Sequence, residues 1–596
     1  MSNTLHNLSS DLQEGKLIAN TNERIDEINA MIDKDSVPEG FEVNENGVWY
    51  LQQKKDKIER TRLCSPLLVT AYTRDHKNEN HGRILEFQDI DEFKHQWTMP
   101  MDWLSTDGTK IIGALLNMGL RISPQKKTKD RLLEYIAQCN PVRRARSVLQ
   151  CGWFDGAFVL PSKTIGHMQR EKIIFQNNST VELKNDTSGT LADWREKVSK
   201  KACGNSRLIL AMCASFAGPL LKQLNHENIG IHFRGGSSIG KSTAEFVANS
   251  IWGSIENIQT FRATANGLEG IASLHNDRLL CLDELGQISP HEAGQVIYML
   301  GNGLGKRRAN QNGLARKQAT WRLVFLSTGE LSLEQLLNEA GKHVKAGQEV
   351  RFIEIPADTG CYGLFENLHE SEGGNEFSKY LGKKCVELYG VASEVFLEKL
   401  VEDVESVVEM VKIVTNGITQ RYLPEGASPQ VIRVFNHLAL IAAAGELASK
   451  FGITGWETEE AITGVMKCFQ AWVEARGDLG MHEEQVAITQ VKNFFELHGE
   501  SRFATWNSDP VDEGRTIKRV GFRKHTEEGG IEFYVFKNAF RKEICSGLDY
   551  RYVEQLCLKH NLLKPGSENE PTRSERLPGN KNTTRCYRFT SAVLSE

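Results

Sequence analysis

Gly235-Gly236-Ser237-Ser238-Ile239-Gly240-Lys241-Ser242 carries the pattern G-x-x-x-x-G-K-S. Glycines at these places let the backbone turn its N–H groups around a polyphosphate without a Cβ clash. Lys241 can reach the outer phosphates as a point charge, and the Ser242 hydroxyl suits a Mg2+ ligand. Thr243 follows directly and is grouped with the loop as a nucleotide-binding residue. A short apolar run, Ile229, Ile231 and Phe233, leads in, and Ala244, Val247, Ala248 and Ile251 recur beyond at helical spacing. Strand, loop and helix in that order put a helix N-terminus under the phosphates, which an ordinary Gly-Ser loop does not require.

Farther along, Arg278-Leu279-Leu280-Cys281-Leu282-Asp283-Glu284 is an apolar run that ends in two carboxylates. A buried parallel strand reads as continuous apolar residues and delivers its last side chains to the edge where α/β sheets bind ligands. Asp283 there would hold Mg2+, directly or through water, and Glu284 would polarise an attacking water as general base. The bland alternative is a solvated acidic strand end. A third apolar run, residues 321–326, closes with Ser327-Thr328. A hydroxyl at that place would lie between the nucleotide and Asp283 and sense the γ-phosphate or orient water; a strand-end cap is the alternative.

Before that run, Lys306, Arg307, Arg308, Arg316 and Lys317 surround Asn310-Gln311-Asn312-Gly313. The Asn-Gly pair suits a tight turn, so the segment reads as a hairpin with basic arms that would contact DNA phosphates whatever the base sequence. A solvated charged loop remains the competing reading. Val350, Phe352, Ile353 and Ile355 mark another strand, with Arg351 at its start. Arg351 is either an arginine offered to a neighbouring subunit's γ-phosphate or half of a structural ion pair, and both readings stand.

These residues need a scaffold, and 596 residues of which 40% are apolar supply enough for three or four domains. The formal net charge of −5 means that a nucleic-acid partner requires a local basic surface. No apolar run reads as a signal peptide or a membrane span, so the expected location is the cytoplasm, with no membrane partner. The twelve cysteines contain no C-x-x-C pair and read as buried thiols of a reducing compartment. In chain order we expect a helical arm over 1–37, an α+β domain over 38–185, an α/β ATPase core over 186–365, helices over 366–480 and a separate module over 481–596. Within the second of these, Asp155-Gly156 between two apolar runs predicts a hairpin. The last module reads as helix, strand, helix, helix, strand, wing and strand, the order of a winged helix. Tyr550, Arg551 and Tyr552 on its second close helix could enter a groove, and Arg515, Lys518, Arg519, Arg523 and Lys524 form a second basic cluster.

FRGGSSIGKST, LLCLDELGQ, MLGNGLGKRRA and GQEVRFIEIPA, in that order and spacing, resemble a large bacterial, phage and integrated-element family described as helicase-like and otherwise of unknown function. That family is similar to the AAA+ class, with minichromosome-maintenance-like ring helicases as relatives, and the resemblance spans residues 40–480. It implies an AAA+ P-loop core with a helical lid, preceded by an α+β domain and followed by the winged-helix-like domain. It sets Gly235, Gly240, Lys241, Ser242, Asp283 and Glu284 on the ATPase motifs, Ser327 or Thr328 at the first sensor, Arg351 at the arginine finger and Arg433 at a second sensor. For Arg433 a solvent-facing helix arginine is the alternative. The function so implied is an ATP-driven DNA helicase or translocase of the hexameric-ring type. It would use ATP and Mg2+, act on single-stranded or forked DNA, and serve replication of a mobile genetic element or phage beside a primase or initiator. Two other classes compete: a DNA-binding initiator or loader ATPase that does not unwind, and an ATP-dependent signalling or defence protein. Strand displacement separates the first from a helicase, and hydrolysis indifferent to DNA marks the second.

Overall fold

The structure is a computed structural model that describes residues 36–54, 57–166, 171–176, 186–307, 318–342, 346–477, 482–506, 518–526, 529–567 and 570–594. The expected arm over 1–37 falls almost wholly outside these residues. The chain divides into two compact units. The first comprises Met1–Val344, Arg351–Arg421 and His437–Trp472, the second Lys345–Val350, Tyr422–Asn436 and Val473–Glu596.

The centre of the first unit is a parallel sheet of β1 (Ile229–Arg234), β2 (Gln259–Thr260), β3 (Leu279–Asp283), β4 (Val324–Gly329) and β5 (Phe352–Pro356). Its order is β2-β3-β4-β1-β5. Parallel neighbours demand crossovers, and helices provide them. α1 (Ser206–Gln223) precedes β1, α2 (Lys241–Asn249) follows it, α3 (Ala265–Leu274) leads to β3, and α4 (Pro290–Asn302) lies between β3 and β4. Leu280, Leu282, Phe325 and Phe352 of the strands pack with Val296, Ile297 and Leu300 of α4 in one core. Two close approaches need glycine. A Cβ on Gly230 would lie 2.2 Å from the Phe325 ring, and one on Gly218 would lie 2.8 Å from the Arg278 backbone. The fifth strand is shorter than its apolar pattern predicts, because residues Ala346–Glu349 turn as a short helix before it.

The helical segment that opens this core, residues 191–202, changes pitch twice. Leu191–Trp194 is α-helical, Arg195–Ser199 widens to a π-turn and Lys200–Ala202 tightens to 3-10. Two buried tryptophans anchor the segment: Trp194 donates through Nε1 to Ser250 Oγ at 3.0 Å, and Trp456 Nε1 donates to the Ser199 carbonyl at 2.8 Å.

The described residues before it form two three-stranded antiparallel sheets and a five-stranded mixed sheet, with helices Thr109–Asn117 and Lys126–Gln138. Gly152–Phe154 and Ala157–Val159 pair as the predicted hairpin, and its corner residues Asp155 and Gly156 have φ of 48° and 80°. This hairpin is fastened to the central sheet. Asp277 Oδ2 accepts from Trp153 N at 3.0 Å, Asn276 Nδ2 donates to Cys151 O at 2.9 Å, and Asn276 Oδ1 accepts from Arg322 N at 2.8 Å. The clasp therefore joins the hairpin to the starts of β3 and β4. Helices Gly374–Glu387 (α5), Val391–Glu402, Val404–Tyr422, Pro429–Lys450 and Glu460–Arg476 follow β5. Among the described residues Pro429–Lys450 alone is long and apolar enough to cross a bilayer, and most of its apolar stretch is buried in the protein.

In the second unit, β6 (Phe503–Thr505), β7 (Gly521–His525), β8 (Ile531–Phe536), β9 (Arg573–Glu575) and β10 (Thr584–Phe589) form a sheet ordered β6-β7-β8-β10-β9. One face packs on α6 (His482–His498), the turn Phe540–Ile544 and α7 (Tyr550–Lys559), through Phe495, Phe533, Phe540, Leu556 and Phe589.

Asp277 is fully buried at φ 57°, and burial pushes its carboxyl up to about 6 from an ordinary 3.8, against the Trp153 N–H and the charges of Lys222 and Arg322. Between those values the unfolded chain ionises while the fold keeps its proton, so this stabilisation is complete at acid pH and lost as pH rises through about 6. Asp277→Asn keeps an acceptor and tolerates the left-handed backbone. It should raise the melting temperature by a few degrees at about pH 8, and the gain should vanish by about pH 4, as scanning calorimetry across pH will show.

Candidate nucleotide site

β1 ends at the C-terminal edge of the sheet, and the glycine-rich loop turns there into α2. The turn needs two left-handed residues, Ser238 at φ 60° and Gly240 at φ 102°. A Cβ on Gly240 would also lie 2.8 Å from the Phe365 ring, which walls the loop on its outer side. Ser237 and Ser238 are exposed, Ile239 is half-buried, and Leu364 N holds Ile239 O at 2.8 Å. Lys241 is buried, and its Nζ donates to Gly235 O at 2.8 Å and Gly236 O at 2.5 Å. A lysine ammonium seated on loop carbonyls stands where the loop curls, ready to exchange them for anionic oxygens. Ser242 is half-buried in the first turn of α2. Thr243 turns the other way: it is buried, with Oγ1 2.6 Å from Ser378 Oγ on α5.

β3 brings Asp283 to the same edge, and β4 brings Thr328 beside it. The register pairs Leu282 with Ser327, and Phe233 with Thr328. Thr328 Oγ1 donates to Asp283 Oδ1 at 2.5 Å and accepts from Glu284 N at 3.3 Å. One hydroxyl therefore fixes both acidic residues. Glu284 occupies the left-handed region at φ 57°, and its Oε1 accepts from Gly286 N at 3.3 Å. Ser327 points into the sheet's packing layer. Its Oγ lies 2.9 Å from His232 Nδ1, and His232 Nε2 lies 3.2 Å from Leu331 O. Complete burial pushes His232 down to about 3, so the ring is neutral. Its one N–H must go to the Leu331 carbonyl, and the Ser327 hydroxyl donates to Nδ1. Of the two sensor candidates, then, Thr328 touches the acidic pair and Ser327 braces the sheet.

Glu245 escaped the sequence reading. It is fully buried on α2, and burial together with the neighbouring Asp283 carboxylate pushes its carboxyl well above the usual range. A neutral Glu245 adds no charge to the acidic edge. Its signal was a lone carboxylate inside the otherwise apolar stretch Ala244 to Ala248.

The remaining candidates lie elsewhere. Arg351 begins β5, at the sheet edge opposite the loop, with Nε 3.7 Å from Glu227 Oε2 and its guanidinium 5.8 Å from the Tyr298 ring centroid. It does not reach the loop of its own chain. Arg433 is half-buried on Pro429–Lys450 and belongs to the second unit. The base of the basic hairpin is antiparallel: Leu304 bridges Thr320, and Gly305 N donates to Ala319 O at 2.9 Å. Lys306 and Arg307 are exposed there, and Arg307 Nε reaches Gln318 Oε1 at 3.4 Å. Arg308, Arg316, Lys317 and Arg515 lie outside the described residues.

Among the described residues no three His, Cys, Asp or Glu side chains form a metal cage. Ser242 and Asp283 by themselves fit a cation that keeps most of its water and takes substrate oxygens, as Mg2+ does.

A family model described as "Domain of unknown function (DUF927)" matches residues 41–320. Comparison with curated proteins finds no match. Among solved structures, a chain titled "SCCmec type IV Cch - active helicase" superposes with a TM-score of 0.67 at 16% identity, over 94% of this chain and 99% of that one. The two share a fold: a mixed α/β architecture with a parallel sheet between helices.

Thr328→Val removes the hydroxyl and keeps the shape. On the ATPase reading proposed below, it should lower ATP turnover about tenfold or more, the loss of one buried hydrogen bond in the reacting geometry, with a small change in melting temperature. Ser327→Ala should do the reverse, lowering the melting temperature and sparing turnover; steady-state kinetics and thermal melts on both variants check this.

Proposed function

We propose that this protein is an ATP-driven DNA helicase or translocase that works as a ring, of hexameric type, in the replication of a mobile genetic element or phage. The observation that carries the reading is the convergence of the Gly235–Ser242 turn, Asp283, Glu284 and Thr328 on one edge of a β2-β3-β4-β1-β5 sheet. The shared fold with a chain titled an active helicase supports it, and so do the basic residues Lys306 and Arg307 at the opposite edge.

In this reading the loop N–H groups and Lys241 bind the phosphates of ATP, with Gly236, Ser237, Ser238 and Ile239 forming the turn. Ser242 and Asp283 hold Mg2+, which when bound neutralises phosphate charge. Glu284 takes the proton of the attacking water, and Thr328 holds Glu284 and Asp283 in place. Arg351 acts on a neighbouring copy's nucleotide, because it stands at the far edge of its own sheet. The helices over 366–480 act as a lid, with Arg433 as second sensor. The winged-helix-like module would be a further DNA contact. Hairpin residues Lys306, Arg307, Arg308, Arg316 and Lys317 grip a single strand through its phosphates, and a primase or initiator works alongside.

Lys241→Ala should cut ATP turnover by roughly 10²-fold or more and abolish displacement of a strand from forked DNA. Paired substitution of Arg307→Gln and Arg308→Gln should leave turnover without DNA intact but remove its stimulation by DNA. Parent protein whose hydrolysis ignores DNA and which displaces no strand would sink the helicase reading and favour a signalling ATPase.

A further inference from the structure

The second unit has a sheet with two unlike faces. α7, the helix that a groove-reading module would insert, packs through Val553, Leu556 and Cys557 on the first face. The other face holds a small cluster of Ala504, Phe522, Tyr534, Leu577 and Cys586, edged by Trp506 and Phe536. Among the described residues no helix contributes to that cluster.

What lies over it is cationic. Strand alternation puts Phe522 and Lys524 on one side of β7. Trp506 is half-buried, tilted on the Tyr534 ring at 4.3 Å, and Lys524 Nζ stands 5.4 Å from the indole centroid. Arg519 lies 4.8 Å over Phe522, and Arg588 lies 5.3 Å over Tyr534. The carboxylates of this face are already answered. Glu532 takes Lys564 at 2.6 Å and Arg588 at 2.8 Å, and Glu575 takes Arg573 and Arg588, each at 3.4 Å. Arg519 and Lys524 are exposed, and among the described residues neither has a carboxylate partner. A chain of net charge −5 thus keeps an uncompensated positive surface beside a half-open indole.

We propose that this strand face, through Trp506, Arg519 and Lys524, binds single-stranded DNA, the phosphates lying on the two cations and a base stacking at the indole. Backbone charge paired with a sequence-indifferent aromatic contact is what a single strand requires. A duplex would instead call on α7, which sits on the other face. The inference rests on the reading that the chain acts on nucleic acid, and it gives the second unit its own grip, separate from the basic hairpin.

The test is fluorescence-anisotropy titration of a labelled oligothymidylate with the full chain at several salt concentrations, without nucleotide. In the Arg519→Gln, Lys524→Gln double variant affinity should fall about tenfold, and the slope of log affinity against log salt should shrink by roughly 1 to 2. Trp506→Phe should weaken binding several-fold and leave the salt slope unchanged, while hydrolysis of ATP without DNA stays at the parent rate in all variants. Parent-like affinity in the double variant would overturn the assignment and leave the helicase reading standing. No oligonucleotide binding by the parent would overturn both. In a parallel titration of a labelled duplex, a loss confined to the duplex, with single-strand affinity retained, would assign this face to duplex DNA and overturn the single-strand proposal.

Discussion

The pairing register between β3, β4 and β1 is the constraint on which the site depends. Leu282 opposite Ser327 and Phe233 opposite Thr328 bring three strand ends to the same height. Side chains alternate along a strand, so a slip of one residue on β4 would turn Thr328 into the packing layer and Ser327 towards the acids. The register is held from both sides. Gly230 admits the Phe325 ring where any side chain would collide with it, and His232 braces Ser327 from a neutral, fully buried ring. The chemistry of Asp283 and Glu284 is therefore set by residues with no charge.

Much of this site was legible because its parts are local. Eight consecutive residues specify the glycine-rich turn into α2, and an apolar run with an acidic end specifies β3. Asp155-Gly156 likewise fixed its hairpin without help from the rest of the chain. What could not be read was whatever depends on facing. Ser327 and Thr328 are neighbours with the same chemistry, and only a register across two other strands tells them apart. Thr243 belongs to the loop by sequence, but the helix turns it towards Ser378. Glu245 looks like a solvent-side residue of an amphipathic helix until β3 is laid against it. The pitch change over residues 195–202 was not legible either, and one residue that holds it, Trp456, is more than two hundred positions away in the chain.

The two edges of the sheet carry different sets of residues, and short strands connect them. The loop, Asp283, Glu284 and Thr328 occupy the C-terminal edge. The Asn276–Asp277 clasp, the base of the basic hairpin and Arg351 occupy the other. β3 is five residues long and β4 six, a span of roughly 15 to 20 Å at the usual rise. Both strands are buried in packed side chains, and packed cores shift between discrete arrangements instead of deforming smoothly.

This arrangement places Asp277 at a mechanical junction. Its carboxylate holds the 152–159 hairpin, its neighbour Asn276 holds Arg322 at the entry to β4, and Gln150 Nε2 donates to Thr320 O at 2.5 Å, at the foot of the basic hairpin. β4 follows directly on Arg322 and ends at Thr328 and Gly329, so the residue held by the clasp and the hydroxyl that holds Asp283 stand on one short segment of chain. The domain before the core is thus tied to the strand that carries the Thr328 hydroxyl, and not only to the surface of the sheet.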